Sequence, residues 1–325
     1  MTPALRAAVI GVGYLGRIHA MKYKLLAGVE LVAVVDSDES RLQQVSGELG
    51  VPGYQGIQEL LGKVDVVSIC TPTPSHHAIA RWCLHAGIHC LVEKPVTVHL
   101  QEVDELIQLA QANKLVLQVG HLKRFHPVVT AMKAGGYLGQ PRYIEAQRLA
   151  PFKPRSLDVD VVLDLMIHDV DLVLHFVDSE VEDVLAVGAP ALTDRVDMAN
   201  ARLLFRNGCV ASLTASRVAN ESTRRMRIFQ NDSYLVLDFA EKNLQIMRRG
   251  DERQKLHGVE ISSIEEIRPL VPVYDTLETQ IGAFCHAVGH GLSSPVDGGQ
   301  GRRALDVVIR IQDAINAFLR TNPSC

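Results

Sequence analysis

Three stretches of this 325-residue chain carry residue types and spacings that could do chemistry: Gly11-Val12-Gly13-Tyr14-Leu15-Gly16, Glu93-Lys94-Pro95, and the pair Asp164 and His168. The glycine stretch follows an apolar run, Ala7-Ala8-Val9-Ile10, and precedes helix-compatible sequence from Leu15 to about Leu26. In that order a buried strand delivers the chain to a tight turn, which Gly11 permits. Gly13 lets a pyrophosphate approach the main chain, and Gly16 lets the helix pack closely on the strand. The helix start adds unpaired N–H groups and a partial positive charge, both suited to phosphate. Tyr14, inside the turn, would cover a cofactor or merely pack.

A glycine turn alone is weak evidence. Here a second apolar run, Leu31 to Val35, ends in Asp36, twenty residues after Gly16. An acid at that point accepts hydrogen bonds from adenosine ribose hydroxyls and repels a 2′-phosphate. Ser37 and Asp38 follow, with no arginine immediately beside Asp36 to hold such a phosphate. The context predicts a dinucleotide site that prefers NAD to NADP. The competing reading is a similar fold whose site serves another nucleotide or none.

Lys94 follows an apolar strand and precedes a proline, which would hold it rigidly where its ammonium reaches the cleft above the sheet. There it could polarise an alcohol oxygen, or stabilise the alkoxide character that develops during hydride transfer. A surface lysine is the bland alternative. Asp164 and His168 are four apart and share one face of a helix. A carboxylate one turn from an imidazole can orient substrate hydroxyls and raise the His pKa, which suits a general base near neutrality. The same pair could sit idle on a helix surface, or join Asp171 around a metal; no further clustered ligand supports a metal, and none is expected.

These residues need elements to position them. Strand-like and helix-like runs alternate from Ala7 to Gly120, which means a parallel sheet covered on both faces, with ligands beyond the carboxyl ends of the strands. Gly11, Asp36, Thr71, Lys94 and Gly120 all fall at or near those ends. The second half reads as a helix over about 161–176, then an antiparallel meander preceded by a strand at 141–149, with closing helices at 278–289 and 302–319. The stretch 249–264 is polar and loop-like. The fold expected is an α/β Rossmann domain, 1–120, followed by an α+β domain, 121–325, with a large open antiparallel or mixed sheet.

An apolar content of 47% allows an ample core, and a formal charge of −4 gives no electrostatic case for nucleic acid or an anionic membrane. No apolar run approaches the roughly 20 residues needed to span a bilayer. Six cysteines without CxxC or zinc spacing, and a start that runs straight into the first strand, predict a cytoplasmic protein.

With these motifs in place the chain resembles the Gfo/Idh/MocA family of NAD(P)-dependent sugar and cyclitol oxidoreductases. GVGYLG, Asp36, TPTPSH (71–76), VEKP (92–95) and the Asp164/His168 pair stand where that family has them, and the match covers essentially the whole chain. The resemblance implies NAD held by Gly11, Gly13, Tyr14, Leu15, Gly16, Asp36, Ser37, Thr71, Pro72, Thr73, His76, Glu93 and Lys94. It implies Lys94 at the substrate and nicotinamide, His168 as proton acceptor and Asp164 as its orienting or substrate-binding partner. It also implies a frequent cis bond before Pro95, and dimers or tetramers built through the second-domain sheet. Within the family, 118–127 and 160–169 look most like members that oxidise UDP-N-acetylglucosamine at C3 to its 3-keto form, feeding the 3-amino sugars of lipid A. Arg124, Lys153 and Arg155 fit a diphosphate, for which charge-assisted donors are needed; the alternative is solvated loop charge. Arg217, Arg224, Arg225 and Arg227 read as sheet-surface charges. The rival readings are a dehydrogenase of a free sugar or inositol, and a non-catalytic NAD-dependent sensor.

Overall fold

A computed structural model describes residues 4–153, 159–257 and 259–321. The chain forms two compact units, Met1–Phe125 with Asp275–Leu305, and His126–Tyr274 with Asp306–Cys325.

The first unit alternates β1 (Leu5–Ile10), α1 (Tyr14–Leu25), β2 (Val29–Val35), α2 (Glu39–Leu49), β3 (Gly53–Tyr54), β4 (Val66–Ile69), α3 (His76–His85), β5 (His89–Val92), α4 (Leu100–Ala112) and β6 (Leu117–Val119). All pairings are parallel, in the order β3-β2-β1-β4-β5-β6. The chain order reverses beside β1, and that switch point opens a crevice at the carboxyl ends of β1 and β4. Every residue of β4 is buried, as expected of a strand covered on both faces.

The second unit holds α5 (Pro127–Ala134), β7 (Tyr143–Leu149), α6 (Ile167–Phe176), β8 (Val181–Ala189), β9 (Met198–Phe205), β10 (Val210–Ser216), β11 (Thr223–Phe229), β12 (Ser233–Asp238), β13 (Asn243–Leu256) and β14 (Val259–Ile267). Its sheet runs β14-β13-β12-β11-β7-β10-β9-β8. The early strand β7 sits in the middle, parallel to β10 and antiparallel to β11, so the sheet is mixed rather than a pure meander. Residues alternate along β7, with Ile144, Ala146 and Arg148 buried and their neighbours more open.

Two expectations give way. Residues 275–305 return to the first unit, which is therefore not the contiguous segment 1–120. Helix α7 (Thr276–His290) places Leu277, Ile281, Phe284 and Cys285 in one core with Ala20 and Tyr23 of α1, while Lys22 Nζ reaches Asp275 at 2.8 Å. The last helix, α8 (Gly298–Thr321), is shared between the units. The stretch expected as loop at 249–264 instead belongs to the β13–β14 hairpin. Its cross-strand partners are polar, Arg248 to Glu265 at 2.8 Å and Gln245 to Glu266 at 2.9 Å. A hairpin exposed along most of its length needs no apolar alternation, so the sequence carries no strand period there.

Candidate active site

In the first unit the glycine turn has the shape its residues predict. Gly11 adopts φ +83, and a Cβ there would meet Thr71 Cγ2 at 2.7 Å. A Cβ on Gly16 would collide with the Gly11 carbonyl oxygen, whereas one on Gly13 would meet nothing within 4 Å. Gly13 is therefore the point at which a ligand can lie against the main chain, at the N-cap of α1. Asp36 ties the far side of the turn, accepting from Val12 N–H at 2.8 Å and Asp38 N–H at 2.9 Å.

A groove of about 790 Å³ runs over this turn, lined by Gly11, Gly13, Tyr14, Asp36, Ser37, Thr71 and Pro72 among the expected cofactor residues. Leu15, Gly16, Thr73, His76, Glu93 and Lys94 do not line it. His76 is buried and engaged elsewhere: Nδ1 is 3.0 Å from the Pro95 carbonyl and Nε2 is 2.7 Å from the Thr71 carbonyl. Burial pushes its pKa down against those hydrogen bonds, so the ring fastens the 71 turn to the 95 turn rather than facing the groove. Sequence reasoning missed Arg41, which also lines the groove. It stands in the first turn of α2, where side chains tilt back toward the helix N-terminus and so toward Asp36. That tilt was the available signal.

The bond between Lys94 and Pro95 is cis. Beneath it the Glu93 carboxylate is buried; a Cβ on Gly120 would lie 2.5 Å from Glu93 Oε1, so only glycine leaves the acid its space. His19 Nε2 is 3.3 Å from the same oxygen, His19 Nδ1 is 3.1 Å from Ser68 Oγ, and Ser68 Oγ is 2.9 Å from Tyr23 Oη.

In the second unit the helix expected at 161–176 begins as a π-helical turn, Val162–Met166, and becomes α-helical from Ile167. Such turns are uncommon and cluster at functional sites. Asp164 lies in the wide turn and His168 at the start of the regular helix. Asp160 caps the segment, its Oδ1 accepting from Val162 and Leu163 N–H at 3.0 Å each. Asp169, next to His168, is buried against Arg148 of β7. Among the described residues no three His, Cys, Asp or Glu side chains gather as a metal site.

Asp164 shares a recess with Lys153, Arg217, Ser222 and Arg224. Arg225 and Arg227 do lie on the open face of the sheet, as expected, paired with Asp238 and Glu145 at 2.7 and 2.9 Å. Arg217 and Arg224 depart from that expectation and border the recess instead. Arg124 lies in a 3-10 turn, Leu122–Phe125, of the first unit. Arg155 lies outside the described residues. No described helix is long and apolar enough to cross a membrane.

Comparison with known proteins agrees with this geometry. Residues 5–121 match the oxidoreductase family with an NAD-binding Rossmann fold, Gfo/Idh/MocA, and residues 128–235 match the Gfo/Idh/MocA C-terminal domain. The chain is 44% identical to UDP-N-acetylglucosamine 3-dehydrogenase of Acidithiobacillus ferrooxidans, over 97% of this chain and 99% of that protein. A solved structure of that enzyme superposes with a TM-score of 0.90 over the same shares of the two chains. Myo-inositol 2-dehydrogenase of Thermotoga maritima is 27% identical over 82% of this chain and 87% of its own.

Proposed function

The chain belongs to the Gfo/Idh/MocA oxidoreductase family, and we propose that it oxidises the C3 hydroxyl of UDP-N-acetylglucosamine with NAD, supplying a 3-keto sugar for the 3-amino sugars of lipid A. The observation that carries this reading is 44% identity over nearly the full length of both chains to an enzyme named for that reaction.

The glycine turn fits a dinucleotide: it is cleared of side chains where a pyrophosphate would lie and backed by a helix N-terminus. Gly11, Gly13 and Thr71 would hold the phosphates and Asp36 the adenosine ribose, which would favour NAD. A bound NAD would supply the acceptor for the hydride that the carbinol carbon loses. His168 takes the hydroxyl proton, and Asp164 orients a neighbouring sugar hydroxyl. Lys94 donates to the reacting oxygen and stabilises its developing negative charge, an effect strengthened where water is excluded. The inositol dehydrogenase relative supports a second reading, in which a free cyclitol or sugar is oxidised by the same residues. Assembly into dimers or tetramers through the open sheet face belongs to the proposal, as does a cytoplasmic location.

The test is NADH formation at 340 nm with UDP-N-acetylglucosamine, UDP-glucose, myo-inositol and glucose offered in parallel, and product analysis by mass spectrometry. Turnover only with UDP-N-acetylglucosamine supports the reading. Turnover only with free polyols removes it. Lys94→Ala and His168→Ala are expected to abolish turnover with NAD still bound; wild-type turnover in either would remove the mechanism.

A further inference from the structure

We propose that His286 and His290, at the end of α7, form a surface site that chelates a divalent transition-metal ion through both imidazoles. Neither residue lines the groove over the glycine turn, so the site is separate from the one that suits a dinucleotide.

The pair is placed by the helix that carries it. Leu277, Ile281, Phe284 and Cys285 hold one face of α7 in the core shared with Ala20 and Tyr23 of α1. His286 and His290 are both exposed. Residues four apart on a helix lie on one face, with Cβ atoms about 5–6 Å apart. Helical side chains also lean toward the N-terminus, so the His290 ring comes back over the turn that carries His286. The two ring centroids are 4.1 Å apart and the ring planes differ by 35°. Two histidines at this spacing on one helix face are a recurring zinc-binding pair.

The hydrogen positions suit ligation. His290 Nδ1 lies 2.9 Å from the His286 carbonyl oxygen. A carbonyl can only accept, so Nδ1 carries the hydrogen, and in the neutral ring Nε2 keeps its lone pair. A contact from Nδ1–H to a backbone carbonyl is the bond that fixes the tautomer and orientation of many metal-binding histidines. Among the described residues the His286 ring makes no hydrogen bond, so either of its nitrogens can turn to a cation. Both residues stand among the last five of α7, near the partly negative end of the helix, which favours a positive ion.

Imidazole nitrogens suit Cu²⁺, Ni²⁺ and Zn²⁺, whereas Mg²⁺ and Ca²⁺ take oxygen ligands. The protein supplies two ligands and water the rest, consistent with the lack of any three-ligand cluster among the described residues. Bound there, the cation links position 286 to position 290 and pins the last turn of α7.

The experiment is calorimetric titration of the full-length protein, stripped with EDTA and desalted, with NiCl₂ and separately with MgCl₂. Wild type, His286→Ala, His290→Ala and the double variant are compared. The wild type should show one Ni²⁺ site per chain and no comparable Mg²⁺ binding. Each single variant should bind Ni²⁺ about tenfold to a hundredfold more weakly, because the second ligand acts intramolecularly once the first is bound. The double variant should add little to the loss in either single one, as expected when both rings hold the same ion. A wild type that binds Ni²⁺ no better than the double variant would overturn the site, as would a single variant with full affinity. Equal binding of Mg²⁺ would overturn the imidazole chelate. The metal-free Tm reports folding, and if one single variant fails to fold, the other decides.

Discussion

The guanidinium of Arg41 stands 3.4 Å from both carboxylate oxygens of Asp36. It also stands 3.4 Å from Asp38 Oδ2. If Asp36 holds the adenosine ribose as proposed, discrimination between NAD and NADP would also involve this arginine, which lies five positions beyond Asp36 in sequence and beside it in space. A contact of this length, made by an exposed guanidinium to a buried carboxylate that also accepts two backbone N–H groups, is readily exchanged. Removing the acid would leave a cation where an adenosine 2′-phosphate would lie. Asp36→Ala is therefore expected to cut the preference for NAD over NADP by about tenfold to a hundredfold, read as the ratio of kcat/KM for the two cofactors. Asp36→Ala/Arg41→Ala should lose the NADP gain again. A single variant with the wild-type ratio would contradict the ribose role of Asp36, and a double variant that keeps the gain would contradict the role of Arg41.

Glu93 and His19 carry the second expectation. Burial raises the carboxyl pKa of Glu93, yet the His19 contact and the nearby Lys94 charge hold it below the usual carboxylate range. The acid is therefore charged at neutral pH, and its Oε2 lies 3.3 Å from the backbone N–H of the lysine proposed to hold the reacting oxygen. Glu93→Gln keeps the shape and removes that charge. We expect kcat to fall about tenfold with little change in KM, as when an orienting partner behind a functional group is lost. An unchanged kcat with a lowered Tm would mean that the His19, Ser68 and Tyr23 chain only stabilises the fold.

Much of the first unit was legible because its signals are local. A strand, a glycine turn, a helix and an acid at the next strand end all lie within thirty residues or so, and Gly16 answers to the Gly11 carbonyl inside the turn itself. What escaped the sequence depends on long-range placement. The return of α7 to α1, the central position of β7 and the tilt of Arg41 toward Asp36 are settled by packing partners far along the chain or by side-chain direction. The π-helical turn at Asp164 leaves the apolar spacing of 161–176 nearly unchanged, so a helix period describes it adequately while missing its geometry. Arg224 and Arg225 are adjacent and chemically identical in sequence; only the register of β11 against β7 sends one to the recess and the other to the open face.

The Arg148–Asp169 pair should act as an anchor for the segment that carries His168. Both side chains are about 5% exposed, and the carboxylate takes both N–H groups of the fork. Removing one partner strands a buried charge, which typically costs about 3–5 kcal/mol, while replacing both with apolar groups can be close to neutral. Arg148→Met is expected to lose that amount in urea unfolding, and Arg148→Met/Asp169→Leu to recover most of it. A single variant within about 1 kcal/mol of the wild type would mean that water or another group takes up the stranded carboxylate.

Acid should reveal the clamp around Asp197. Its carboxylate accepts from the N–H groups of Ala191, Leu192 and Thr193 at 2.9, 2.7 and 2.8 Å, from Thr193 Oγ1 at 2.8 Å and from Arg217 Nε at 2.7 Å. Burial alone would raise its pKa, but these donors hold it far below the ordinary aspartate value of 3.8. A folded-state pKa below the unfolded one stabilises the protein at pH above about 4, and the contribution drains away as pH falls through the folded value. Asp197→Asn removes the charge and turns an amide N–H₂ toward backbone donors. The wild type should therefore exceed the variant in unfolding free energy most clearly at about pH 7 and pH 5, with the difference shrinking by about pH 3. A difference that stays constant across that range would assign the clamp to shape alone. Because Arg217 also holds the Val159 carbonyl, the variant should loosen the segment leading into the Asp164 turn, and kcat at neutral pH should fall along with stability.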